Sequence, residues 1–68
     1  MKLIEFRNDE VSLSMSVSEF NFLREALREL PQAVSREKLP TLTGFTHEQV
    51  KKMKTQLRGI AEEINVDL

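Results

Sequence analysis

The chain has a single histidine, His47, and it stands beside Glu48. That pairing is the kind in which a carboxylate could orient an imidazole as a general base. Neighbours along a helix point in different directions, however, and no nucleophile lies within local reach. Cysteine is absent, which removes thiol nucleophiles, disulfides and thiolate metal sites. One histidine is also too few for a typical zinc site. Ser12, Ser14 and Ser16 alternate along the chain, the mark of one solvated face of a strand rather than of a nucleophile. Among eleven acidic side chains no pair is singled out for glycosidase-like work. Gly44 and Gly59 stand alone, so no phosphate-cradling loop is present. The expectation is a non-enzymatic protein with no catalytic residues, no cofactor and no metal.

Charge offers more. Ten basic and eleven acidic side chains leave a net charge of −1, so no global field draws in nucleic acid or an anionic membrane. Locally, Arg36 to Arg58 holds six basic residues against two acids. At about 100° per residue, Lys51, Lys54 and Arg58 share one flank of a helix. Nucleic-acid binding through that flank is the runner-up reading, with Thr46, His47 and Gln49 as base readers at the helix start. Leu42 to Leu57 looks like the second helix of a helix-turn-helix motif in its glycine, cap and apolar spacing. Against it, that motif joins its helices by about 3–4 residues, whereas fifteen residues with two prolines separate the two helices expected here. A lysine-rich solvated flank is the simpler account.

The elements that must carry these residues can be read in order. Sixty-eight residues make a single domain with a thin core. From Lys2 to Arg7 and from Glu10 to Ser16, apolar and polar residues alternate, the period of half-buried strands. Asn8 and Asp9 between them tolerate the left-handed backbone of a tight turn. With those two as the turn, Phe6 faces Val11, Ile4 faces Leu13 and Lys2 faces Met15. Leu3 then sits opposite Ser14, alone among polar residues on the outer sheet face. Helix one is expected over residues 19–30, capped by Ser18 and ended by Pro31. Residues 31–45 form a loop pinned by Leu39, Leu42 and Phe45, with one helical turn available between Ala33 and Lys38. Helix two is expected over residues 47–64. Thr46 and Gln49 fit a capping box, and Val50, Met53, Leu57, Ile60, Ala61 and Ile64 form one apolar stripe. Asn65 suits a left-handed C′ residue, and Val66, Asp67 and Leu68 fold back or fray. The fold class is α+β, with the hairpin of residues 2–16 covered by two antiparallel helices (ββαα).

Ser14 to Leu30, followed by Gly44-Phe45-Thr46-His47-Glu48-Gln49-Val50, resembles a group of short uncharacterised bacterial proteins. These read as a hairpin, a helix with a Ser-x-Glu cap, a loop, and a Gly-hydrophobe-Ser/Thr-x-Glu-Glu helix start. The resemblance implies a bacterial or phage origin and this fold, and it carries no activity. The stretch from Gln32 to Thr43 departs from the pattern.

Three residues mark a candidate protein-binding surface. Phe22 lies at the far edge of the helix-one stripe, where an aromatic side chain suits an interface. Gly59 falls on the polar side of helix two, at a cost of about 1 kcal/mol relative to alanine, which a close-approaching backbone would justify and tolerated drift explains equally. Leu3 suits contact with a second copy, since hairpin edges can pair across a symmetric dimer. The leading reading is a small binding or regulatory module, immunity-like in scale. It acts through protein–protein contact by its helical face and the 31–45 loop, with self-association as one form of that contact. The N-terminus lacks the apolar region of a signal peptide, and no stretch is long enough to span a bilayer. A cytoplasmic location without membrane contact is expected.

Overall fold

The structure is a computed structural model and describes residues 1–64. The expected left-handed Asn65 and the tail 66–68 lie outside the described residues. Two strands, β1 (Lys2–Arg7) and β2 (Glu10–Ser14), are followed by three helices, α1 (Val17–Ala33), α2 (Leu39–Thr43) and α3 (His47–Glu63). The α+β class and the hairpin-then-helices order are therefore as expected.

The strands pair antiparallel around Asn8 and Asp9, whose φ angles are 51° and 64°. Positive φ at both turn residues is the type I′ signature, the turn whose twist matches the flanking strands. Arg7 faces Glu10, Phe6 faces Val11 and Glu5 faces Ser12, as the alternation requires. Beyond Glu5 the register departs from expectation. Leu3, not Ile4, is the partner of Leu13, and Lys2 faces Ser14 instead of Met15. Ile4 is the extra residue of a β-bulge, so two residues of β1 oppose one of β2. Partners across a ladder share a face. The bulge therefore moves Leu3 off the polar side and gathers Leu3, Ile4, Phe6, Val11 and Leu13 on one side. Lys2, Glu5, Arg7, Glu10, Ser12 and Ser14 take the other.

The cap of α1 is Ser16, two residues earlier than expected. Ser16 Oγ accepts from the Glu19 amide at 3.1 Å, and the Glu19 carboxylate accepts from the Ser16 amide at 2.9 Å. This reciprocal box satisfies two orphan donors at once. Ser18 has Asn21 at the matching position and closes no such box. Pro31 does not end α1, which runs through it to Ala33. Proline's fixed φ is helical, and in the last turn its missing N–H removes one bond only, the one to the Leu27 carbonyl. The end is closed by the Val34 amide donating to the Leu30 carbonyl at 3.0 Å.

The stretch expected as loop contains α2. Pro40 occupies its first turn, where the absent N–H has no intrahelical partner to lose. Gly44 ends it at φ 79°, a left-handed conformation that favours glycine. Thr43 Oγ1 donates to the Leu39 carbonyl at 2.8 Å and accepts from the Phe45 amide at 3.1 Å. Of the three expected pins only Leu39 holds, being fully buried; Leu42 and Phe45 remain exposed. α3 opens with the expected box. Thr46 Oγ1 accepts from the Gln49 amide at 3.2 Å, and Gln49 Oε1 accepts from the Thr46 amide at 2.8 Å.

The core is helical. α1 packs on α3, and the buried apolar side chains among the described residues are Phe20, Leu39, Val50 and Ala61. Met53 and Leu57 are half-buried, while Ile60 and, at the far end of the stripe, Ile64 are exposed. The expected roof over the hairpin is absent. Leu3, Ile4, Phe6, Val11 and Leu13 are 44–66% exposed, and the strands contact chiefly each other. With α1 packed on α3, its apolar stripe is not free to cover the sheet. Only Met15 and Ser16 join β2 to α1. The hairpin projects as an arm. The principal extents of 33 × 32 × 17 Å and a radius of gyration of 13.2 Å agree with this, since a compact chain of this length has about 11 Å.

Candidate binding surfaces

Two surfaces stand out, and different elements build them. The first is the hairpin arm. Its turn and bulge together sort every side chain of the ladder by polarity, and the apolar side meets solvent. Around it the charges nearly balance, with Lys2 and Arg7 against Glu5, Asp9 and Glu10. The N-terminal ammonium group of Met1 lies 2.8 Å from the Glu19 carboxylate, so the open end of the arm abuts the first turn of α1. That ammonium group, together with the Ser16 amide, holds the Glu19 carboxyl below the ordinary glutamate value.

The second is a cleft of about 410 Å³ between α1 and α3. Lys51, Lys54 and Arg58 line it from α3, as their shared helical flank implies, and Arg24, Glu25 and Arg28 line it from α1. Arg28 is paired with Glu25 and Glu29 on its own helix. Arg24, Lys51, Lys54 and Arg58 have no carboxylate within 4.0 Å among the described residues. The Arg24 Nη1 atom is enclosed and has no hydrogen-bond partner among the described residues. Reading α3 alone missed Arg24 and Arg28. Their spacing of four residues, one helical turn, was the available signal, but it points to α3 only once α1 is known to pack there.

A third depression adjoins the cleft and is lined by Pro31, Arg36, His47, Glu48, Lys51 and Lys54. His47 is half-buried, with Nε2 enclosed and unbonded among the described residues. Arg36 Nη1 donates to the Glu48 carboxylate at 2.6 Å and holds that carboxyl below the ordinary glutamate value. Glu48 thus serves Arg36, not His47. Pro31, at the end of α1, and His47, at the start of α3, share this depression, so the two helices run antiparallel.

The other singled-out residues fall on separate elements. Phe22 is 75% exposed on α1, on the side opposite the buried Phe20. Gly59 lies on the exposed side of α3, and a Cβ added there would meet nothing within 4 Å among the described residues outside its own helical turn. Thr46 Oγ1 and Gln49 Oε1 each accept from the other's backbone amide in the capping box, which holds both side chains against the start of α3.

No group of three or more His, Asp or Glu side chains among the described residues is placed to hold a metal ion. No described helix is long and apolar enough to cross a membrane. The chain matches no family model, no curated protein and no solved structure. The resemblance to short bacterial proteins gains no support from those comparisons, and the geometry carries the argument by itself.

Proposed function

We propose that this protein is a non-enzymatic binding module that works by protein–protein contact, with the apolar side of the hairpin as its contact surface and a second copy of the chain as the first occupant. The observation that carries this reading is the set of five apolar side chains on one side of the arm, each 44–66% exposed. An isolated two-stranded hairpin is marginal in water, and exposed apolar patches of this kind mark interaction sites.

The choice of a second copy rests on area and charge. The chain exposes 5700 Å², about 1,300 Å² more than the roughly 4,400 Å² expected of a folded monomer of its mass. A standard interface removes about 800 Å² from each partner, so one self-contact accounts for most of the excess. The near balance of charges around the patch selects neither an acidic nor a basic partner, and an apolar face is complementary to its own copy. A small domain without cysteine also has the most to gain from a second subunit.

Light scattering on the eluting protein tests this. The expected mass is twice 7.9 kDa, falling to the single-chain value in Phe6→Glu with helical circular dichroism kept. A wild-type chain that stays at the single mass at high concentration, with its hairpin formed, would sink the reading.

A further inference from the structure

We infer that the cleft between α1 and α3 is a binding site for the phosphodiester backbone of nucleic acid. Five cations converge there from two helices against one lining carboxylate, Glu25, which is paired with Arg28, in a chain whose net charge is −1. Four of the five lack an acidic partner within 4.0 Å among the described residues. Facing like charges repel, and an arginine nitrogen enclosed without an acceptor, as Arg24 Nη1 is, carries a desolvation cost that nothing in the described chain offsets. An anion in the cleft relieves the repulsion.

Shape selects an extended polyanion over a single small one. Lys51 to Arg58 spans seven residues, about 10 Å along the axis of α3, and Arg24 to Arg28 spans about 6 Å along α1. A strand of duplex presents one phosphate per roughly 3.4 Å of axis, so the longer row faces about three of them. None of the four phenylalanines lines the cleft, so no stacking platform reads bases there. Leu57 is its one aliphatic lining residue, which leaves an acidic protein without the pocketed anchor that protein interfaces use. The guanidinium groups supply forks that match phosphate oxygens.

The surrounding chain points the same way. α2 ends at Thr43 and α3 begins at His47, so helix and helix are joined by three residues that include Gly44. That is the spacing of a helix-turn-helix, the feature that fifteen intervening residues had argued against. With Thr46 and Gln49 held against the start of α3 by their capping box, contact falls to the cations and is independent of base sequence. This site is separate from the hairpin and does not depend on the assembly proposed above.

Fluorescence anisotropy with a labelled mixed-sequence DNA strand, its duplex, and RNA of the same sequence tests the assignment at low salt. At least one of them binds, and its log K falls against log salt with a slope of about −3.6 for duplex DNA or about −2.8 for a single strand, as four neutralised phosphates require. Which of the three binds best tells DNA from RNA and single strand from duplex. Lys51→Glu with Lys54→Glu weakens binding more than tenfold while circular dichroism stays helical, and Lys38→Glu, outside the cleft, leaves it within twofold. Absence of binding by all three at low salt overturns the proposal. So does indifference to the double reversal, or equal affinity for polyglutamate, which would assign the cleft to an acidic protein instead.

Discussion

Leu3 faces Leu13 across the hairpin, and it does so only because Ile4 is bulged out of the ladder. Regular pairing would set Leu3 against Ser14 on the polar side, where substitution is nearly silent. The bulged register makes Leu3→Ser as damaging to self-association as Leu13→Ser. Full burial of a leucine contributes about 1.5–3 kcal/mol, so each change should raise the dimer dissociation constant by about tenfold to a hundredfold. Analytical ultracentrifugation of the two variants decides it; a harmless Leu3→Ser beside a disruptive Leu13→Ser would restore the regular register.

The turn offers a gain instead of a loss. Asp9 sits at φ 64°, a conformation in which glycine pays no Cβ penalty. Asp9→Gly is expected to stabilise the hairpin by less than about 1 kcal/mol. Relief of the left-handed penalty is partly offset by glycine's greater loss of chain entropy. Asp9→Val is expected to loosen the hairpin. Amide exchange rates in β1 and β2 report both, and the helices should be indifferent to either change.

Leu39 is completely enclosed although it belongs to a helix of five residues. Leu39→Ala should cost about 2–5 kcal/mol, a large share of the roughly 3–10 kcal/mol expected for a chain this long. Leu42→Ala, three residues on but exposed, should cost less than about 0.5 kcal/mol. Urea unfolding compares them, and similar midpoints would mean that α2 does not anchor the core.

The Arg36–Glu48 pair predicts an acid limb. Its guanidinium lowers the Glu48 pKa in the folded chain, so the stability it adds is fully present above the ordinary glutamate value, about 4.3. That stability is lost as the pH falls through the lower folded value. Glu48→Gln should therefore melt below the wild type at neutral pH, with the difference shrinking steadily toward pH 3. Parallel melting curves across that range would show that the pair contributes nothing to folding. Glu19, lowered in the same direction, keeps some acid sensitivity in both proteins.

Local signals were legible in the sequence where a few neighbouring residues settle the outcome. The Asn8-Asp9 turn, the Thr46–Gln49 box and the common flank of Lys51, Lys54 and Arg58 all follow from spacing along the chain. The cap expected at Ser18 falls to Ser16 instead, because Glu19 closes a box with Ser16. What lay beyond reach depends on competition between distant segments. The apolar stripe of α1 could serve either the hairpin or α3, and nothing in its own residues says which one takes it. The bulge at Ile4 is hidden for a similar reason: alternation sets Leu3 on the polar side, and only pairing with Leu13 overrides it. Arg24 and Arg28 acquire meaning once α3 lies alongside them.

The two-residue joint at Met15 and Ser16 has a thermodynamic corollary. On the proposed self-association, a hairpin held at arm's length gains its missing contacts from a second copy, and mass action then governs how complete the fold is. Melting temperature should climb with protein concentration, and dilution alone should release the strands while the helices stay intact. Abundance itself would then act as the switch.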